Sequence, residues 1–187
     1  MKKSNILIIG ILVVAAILVI WWIGTYNSLV SARENVDGEF SNVSIQLERR
    51  ADLIPNLVAT VKGYVKHEQA AIDSVTSARE KLLKADDIDE MAEANDELNS
   101  AIDALFIIVE NYPDLKASTN FINLQDELAG TENRIATARR DYNSAVKDYN
   151  TMIKKIPTNI IASICDFDDA DYFEVDEEKI ETPDVEF

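Results

Sequence analysis

The sequence predicts an all-α protein: an N-terminal transmembrane helix followed by a four-helix bundle. Three observations carry that expectation. Residues 6–23 read ILIIGILVVAAILVIWWI, an apolar run without a charge. Beyond it, apolar residues recur at alternating spacings of three and four to residue 156. Only 5 glycines and 4 prolines occur in 187 residues, so sharp turns are few and long helices are favoured.

The run from Ile6 to Ile23 comes first. At about 1.5 Å per residue it spans roughly 27 Å, close to the hydrocarbon thickness of a bilayer. Trp21, Trp22 and Tyr26 cluster at its far end, as an interfacial aromatic belt would. A signal peptide has an apolar region of about 7–15 residues and a small-residue cleavage site. Here Trp-Trp-Ile stands in that place, so a retained anchor is expected. Lys2 and Lys3 precede the run, while Arg33 beyond it is matched by Glu34, Asp37 and Glu39. The positive-inside rule then puts the helical domain outside the cytoplasm, on a single-pass cell-membrane protein.

The helical pattern follows in four stretches. Tyr26, Leu29, Val36, Val43, Leu47 and Ile54 mark the first, and Leu57, Val61, Val75 and Leu82 the second. Ile88, Leu98, Ile102, Leu105 and Val109 mark the third. Phe121, Leu128, Ile135, Tyr142, Tyr149 and Ile156 mark the last. Such heptad-like seams belong to helices packed at shallow, coiled-coil-like angles. Asp86 or Asp87 suits the N-cap of the third helix, with Asp89 and Glu90 at its positive end. Lys154 and Lys155 suit the last turn of the fourth, which Pro157 ends. Pro55 admits two readings, because the apolar phase runs through it without a slip: a kink in one long helix, or a chain reversal. The reversal is preferred, since it gives the bundle an even number of helices. The expected division is a flank at 1–5, the transmembrane helix at 6–25 and the bundle at 26–165. Its helices fall near 26–53, 55–84, 87–112 and 118–156, and 166–187 is a mobile tail. Gly38, Gly63 and Gly130 fall inside these helices, where close approach of a neighbour would account for them.

Charge excludes one class of partner. The formal net charge is −16, and the last 22 residues hold 11 acids against one lysine, Lys179. That balance repels nucleic acid phosphates, so no nucleic acid partner is expected. One cysteine, Cys165, allows no internal disulfide.

Several polar residues fall on or near the seams. Arg33, Arg50, Asn95 and Thr131 occupy seam positions. Asp52, Glu132, Asn133, Arg134, Arg139 and Asp141 lie beside them. A buried arginine needs a partner. The expected arrangement is therefore a polar network of Arg33, Arg50, Asp52, Glu132, Asn133, Arg134, Arg139 and Asp141. It serves either as a structural device fixing helix register or as a groove for an anion or a partner.

Catalytic patterns are missing. His67 is the lone histidine, and HEQAA lacks the second histidine of a zinc protease helix. A di-iron bundle needs two Glu-x-x-His motifs. No phosphate-binding or dinucleotide glycine pattern occurs. No cofactor, no metal and no enzyme activity are expected.

Long stretches of the chain resemble the LemA family of membrane-anchored proteins. They are YNSLVSAREN at 26–35, FSNVSIQLERRADLIPNLVATVKGYVKHE at 40–68 and VTSAR at 75–79. NFINLQDELAGTENRIATARRDYNSAVKDYN at 120–150, IPTNIIA at 156–162 and DYFE at 171–174 complete them. The resemblance implies an up-and-down four-helix bundle behind an N-terminal membrane helix, and no catalytic residues carry over. Phe40 stands where the family often has tryptophan, Ile156 where phenylalanine is common, and Asp166-Phe167 where Gly-Phe is frequent. The functional expectation is a non-catalytic, membrane-anchored envelope protein, a scaffold or interaction module working with protein partners or copies of itself. The alternative is an accessory sensor or ligand-binding bundle acting through a membrane partner.

Overall fold

A computed structural model describes residues 3–65 and 67–173. The side chain of Ile6 and the acidic stretch from 174 to 187 lie outside the described residues. Within them the protein is all-helical, as the periodicity predicts. Six helices follow one another: α1 (Lys3–Lys62), α2 (Gln69–Leu82), α3 (Ile88–Val109), α4 (Pro113–Lys116), α5 (Thr119–Lys154) and α6 (Thr158–Ile164). The chain divides into two compact units, Met1–Glu39 with Tyr142–Asp171, and Phe40–Asp141 with Tyr172–Phe187.

The second unit is the four-helix bundle, built from the latter part of α1, then α2, α3 and the first part of α5. Its core repeats the predicted spacing: Val43, Leu47, Ala51, Ile54, Leu57 and Val61 on α1 face Val75, Ala78 and Leu82 of α2, Leu98, Ile102 and Leu105 of α3, and Leu128 and Ile135 of α5. Cross-contacts give the direction of each helix. Ser44 meets Met91 and Arg50 meets Asn95, so α1 and α3 run parallel. Glu68 meets Tyr112 and Lys81 meets Glu97, so α2 and α3 run antiparallel. Short connections between long helices force this up-and-down order. Asp87 caps α3, its Oδ1 accepting the Glu90 N–H at 2.8 Å, with Asp89 and Glu90 in the first turn.

The preferred chain reversal at Pro55 is corrected. Pro55 lies inside α1, which continues to Lys62. The expected helices at 26–53 and 55–84 are therefore replaced by one helix through residue 62 and a shorter α2 from residue 69. The physical reason is local. A proline at 55 cannot donate to the carbonyl of Ala51, four residues back. Ala51 is fully buried, and an unpaired carbonyl there would be unfavourable. Arg79 of α2 supplies the missing donor: its Nε–H donates to the Ala51 carbonyl oxygen at 2.7 Å. The reversal comes instead at Gly63, where the bonds tighten to Gly63 N–H onto Thr60 O and Tyr64 N–H onto Val61 O.

The glycines are a second correction. A Cβ at Gly38 or Gly130 would meet nothing within 4 Å, and Gly63 stands at the end of α1 rather than inside a helix. Close helix approach does not explain them. Gly130→Ala and Gly38→Ala should each raise stability by about 0.5–1 kcal/mol through helix propensity alone, read from urea unfolding of the full chain in detergent. A loss of stability in either would show a packing role that the backbone does not reveal.

The first unit contains the apolar part of α1, the last turns of α5, α6 and the segment to Asp171. Its core is Leu29 and Val36 of α1 with Tyr142, Val146, Tyr149 and Ile153 of α5, and Ile161 and Ala162 of α6. The side chains from Ile8 to Ile20 that are described are exposed. Over this stretch α1 is long and apolar enough to cross a membrane.

Candidate functional site

The bundle buries one charged group deeply. Arg50, on α1, is 5 % exposed. The seam period places it there, between Leu47 and Ile54. Its Nη1 donates to Asn95 Oδ1 of α3 at 3.0 Å and to the Glu132 carboxylate of α5. One guanidinium thus ties three helices. Burial lowers the Arg50 pKa from its ordinary value, against which Glu132 first, then Asp103 and Asp96, pull it back up. Arginine stays charged under any such shift. Asn95 is fully buried, and Thr131 nearly so, its hydroxyl donating to Glu127 O one turn back at 2.8 Å. Arg50 Nε, Asn95 Nδ2 and Gln46 Oε1, the last one turn before Arg50, have no protein partner.

Of the eight residues expected in the network, the structure brings Arg50 and Glu132 together and sets Arg139 near them. Arg139, half-buried, has its pKa lowered by burial and raised again by Asp96 and then Glu132. Its guanidinium carbon lies 4.3 Å from the ring centre of Phe173, a cation–π contact. Asp52, Asn133, Arg134 and Asp141 are exposed and take no part. Asp52 and Asn133 lie two positions from the nearest seam residues and Arg134 and Asp141 one, and on a helix that is enough to reach water. Arg33 belongs to the other unit: it pairs with Asp37 at 3.4 Å on an exposed face and lies 5.8 Å from the Tyr149 ring centre. Asp96 and Asp103 were missed. Their seven-residue spacing on α3 places both on the side that Asn95 presents to Arg50, and that was the available signal.

His67 is exposed. Among the described residues no group of three histidines, cysteines or carboxylates could hold a metal ion. What the cluster can do is fix register, because a slip of any one helix would strand a charge or a buried amide.

A sequence comparison places these features in a family. The sequence model of the LemA family matches residues 39–187. The chain belongs to the LemA family. Magnetosome protein MamQ 2 of Paramagnetospirillum magneticum is 27% identical over 195 residues, covering 88% of this chain and 72% of that protein. Protein LemA of Metamycoplasma hominis is 26% identical over 166 residues, covering 88% and 75%. Magnetosome protein MamQ of Magnetospirillum gryphiswaldense is 24% identical, covering 79% and 64%.

Two of the LemA-like stretches touch one another. RRADLIP and VTSAR meet at the Ala51–Arg79 bond. DYNSAVKDYN, at 141–150, holds the segment that follows α6. Tyr149 OH donates to Asp168 O at 2.8 Å, and Tyr142 OH to Asp171 O at 2.7 Å. Asn150 Nδ2 donates to Ala170 O while its Oδ1 accepts the Ala170 N–H, both at 2.8 Å. Lys154 pairs with Asp169 at 2.8 Å. Burial holds the Tyr149 hydroxyl above the usual tyrosine value, with Arg33 pulling it down. The tail expected to be mobile from residue 166 is therefore clamped as far as Phe173. Residues 142, 149 and 150 share one helix face, and that face reads as core from sequence alone.

The departure at Asp166 has a structural counterpart. Asp166 has φ 55°, the left-handed region where glycine is unstrained and aspartate is tolerated. Asp166→Gly should raise stability by about 0.5–1 kcal/mol, measured by thermal unfolding of the full chain. No gain would mean that the Asp166 side chain makes a compensating contact.

Proposed function

We propose that this LemA-family chain is a non-catalytic, membrane-anchored envelope protein that organises protein partners, or copies of itself, at the bilayer surface. The supporting observation is α1, a 60-residue helix whose first part is apolar and exposed and whose last part carries the seam of the bundle. The two units thus share one helix. Arg50 joins three helices of the bundle through Asn95 and Glu132, which suits a firmly held presenting surface. The charge asymmetry around the apolar run supports a domain on the non-cytoplasmic side.

Cross-linking of the full chain in native membranes tests the scaffold. Discrete higher species are expected, and a strictly monomeric, partner-free chain would count against it. For sidedness, Cys165 is half-buried and a poor reporter. Ser100→Cys in a Cys165→Ser background gives an exposed thiol on the bundle. Labelling by an impermeant maleimide in intact cells is expected, and labelling only after lysis would reverse the orientation.

A further inference from the structure

Helix α6 is apolar on two sides. Ile161 and Ala162 point inward and are buried. Ile160 and Ile164, one turn apart, share the opposite side and are 55% and 61% exposed, and Ile156 just before the helix is 84% exposed. From residue 156 to 165 the chain carries no charge. A single exposed isoleucine needs no explanation. Two exposed isoleucines one turn apart on α6 and a third just before it, on an uncharged segment, mark a contact surface.

Its position identifies the contact. Thr158, at one end of α6, shares a notch of about 360 Å³ with Met152 and with Trp21, Gly24, Thr25 and Ser28 of α1. Beyond the other end, Phe167 donates its N–H to Ala162 O and packs edge-on against Tyr26, ring centres 5.8 Å apart. Both ends of α6 are thus pinned beside the aromatic end of the apolar run. Trp21 and Tyr26 are themselves exposed there. Aromatic side chains at the end of a membrane span sit at the lipid–water boundary.

We propose that α6 is a second membrane contact, with Ile156, Ile160 and Ile164 immersed in the interfacial layer of the phospholipid bilayer that α1 crosses. The inference rests on α1 being a membrane span. The charges beside α6 are balanced rather than basic: Lys154 and Lys155 precede it, and Asp166, Asp168 and Asp169 follow it, with Lys154 already held by Asp169. Apolar burial therefore drives the contact, and anionic lipid is not required.

The test uses the full chain with Cys165→Ser, reconstituted in phosphatidylcholine vesicles, and a nitroxide at one introduced cysteine. Leu18→Cys reports the span, Ile160→Cys and Ile164→Cys report α6, and Ser100→Cys reports water. All four sites are exposed, so the label does not disturb the core. Collision rates with oxygen, which concentrates in lipid, are compared with those of a water-soluble nickel chelate. An oxygen-to-nickel ratio several-fold higher at 160 and 164 than at 100, and lower than at 18, is expected. Ratios at 160 and 164 equal to that at 100, with 18 in lipid, would overturn the contact and leave the span standing. If position 18 also reads as aqueous, the span fails and the inference with it. Dipolar broadening between labels at 160, without a lipid-like ratio, would put a second copy of the chain on this face and overturn the lipid contact.

Discussion

Arg50→Ala is expected to destabilise the bundle by about 2–4 kcal/mol, and Arg50→Met by much less. Alanine removes a long buried side chain from among three helices and takes the Asn95 amide oxygen's donor away in a fully buried place. Methionine keeps the volume and removes the charge that had to be desolvated. Glu132→Gln acts from the other side. It leaves the guanidinium, whose side chain is 6% exposed, without its nearest carboxylate. Loss of one partner of a buried pair is worth about 3–5 kcal/mol in a dry site. Glu132 is 42% exposed, so solvent already screens the pair, and Asp103 and Asp96 remain. About 1–3 kcal/mol is the expected loss here. Urea unfolding of the full chain in detergent, followed by helical circular dichroism, gives the order Arg50→Ala, Glu132→Gln, Arg50→Met. An Arg50→Ala protein as stable as the native one would show that the cluster does not hold the register, and would return the groove reading to favour.

Arg79→Ala should cost about 1–3 kcal/mol in the native protein and nearly nothing in a Pro55→Ala background. In the native chain the Ala51 carbonyl has lost its helical donor to the proline ring, and the Arg79 Nε–H is the group that replaces it. Removing Arg79 strands a buried acceptor. With alanine at 55, the backbone N–H is restored and α1 satisfies its own carbonyl. The double-mutant cycle over the same unfolding measurement should therefore show a coupling of about 1–2 kcal/mol. Additive effects would mean that Arg79 matters for some other contact and that the proline is accommodated by water.

The same pair shows where reading the sequence succeeded and where it stopped. The unbroken seam phase through residues 50, 54, 57 and 61 suited one continuous helix as well as a turn at Pro55. The turn was preferred because it gave the bundle an even number of helices, and an interior proline carries a helix penalty besides. What cancelled that penalty was a side chain 24 positions later, in VTSAR, and no local pattern announces such a bond. Arg50 and Asn95 were legible as seam positions because helical period depends on neighbours alone. The membership of the network was not, since Asp52, Asn133, Arg134 and Asp141 stand only one or two steps from a seam residue and that offset decides burial. Tyr142 and Tyr149 stand seven residues apart and read as core, and Asn150 follows directly. Their hydroxyls and amide instead hold backbone from residues 168–171. The acidic composition that suggested a loose tail carried no sign of that clamp.

The most direct test of the central claim is amide hydrogen–deuterium exchange across α1 in the full chain, held in phosphatidylcholine nanodiscs. The claim is that the apolar run enters the bilayer and that α1 continues from it as one helix into the bundle. Slow exchange is expected without interruption from the apolar run, through Gly24 and Arg33, to Phe40 and beyond. A freely exchanging stretch between Gly24 and Phe40 would reveal a flexible linker, and exchange of the apolar run at solvent rates would show that it does not enter the membrane; either result would contradict the claim.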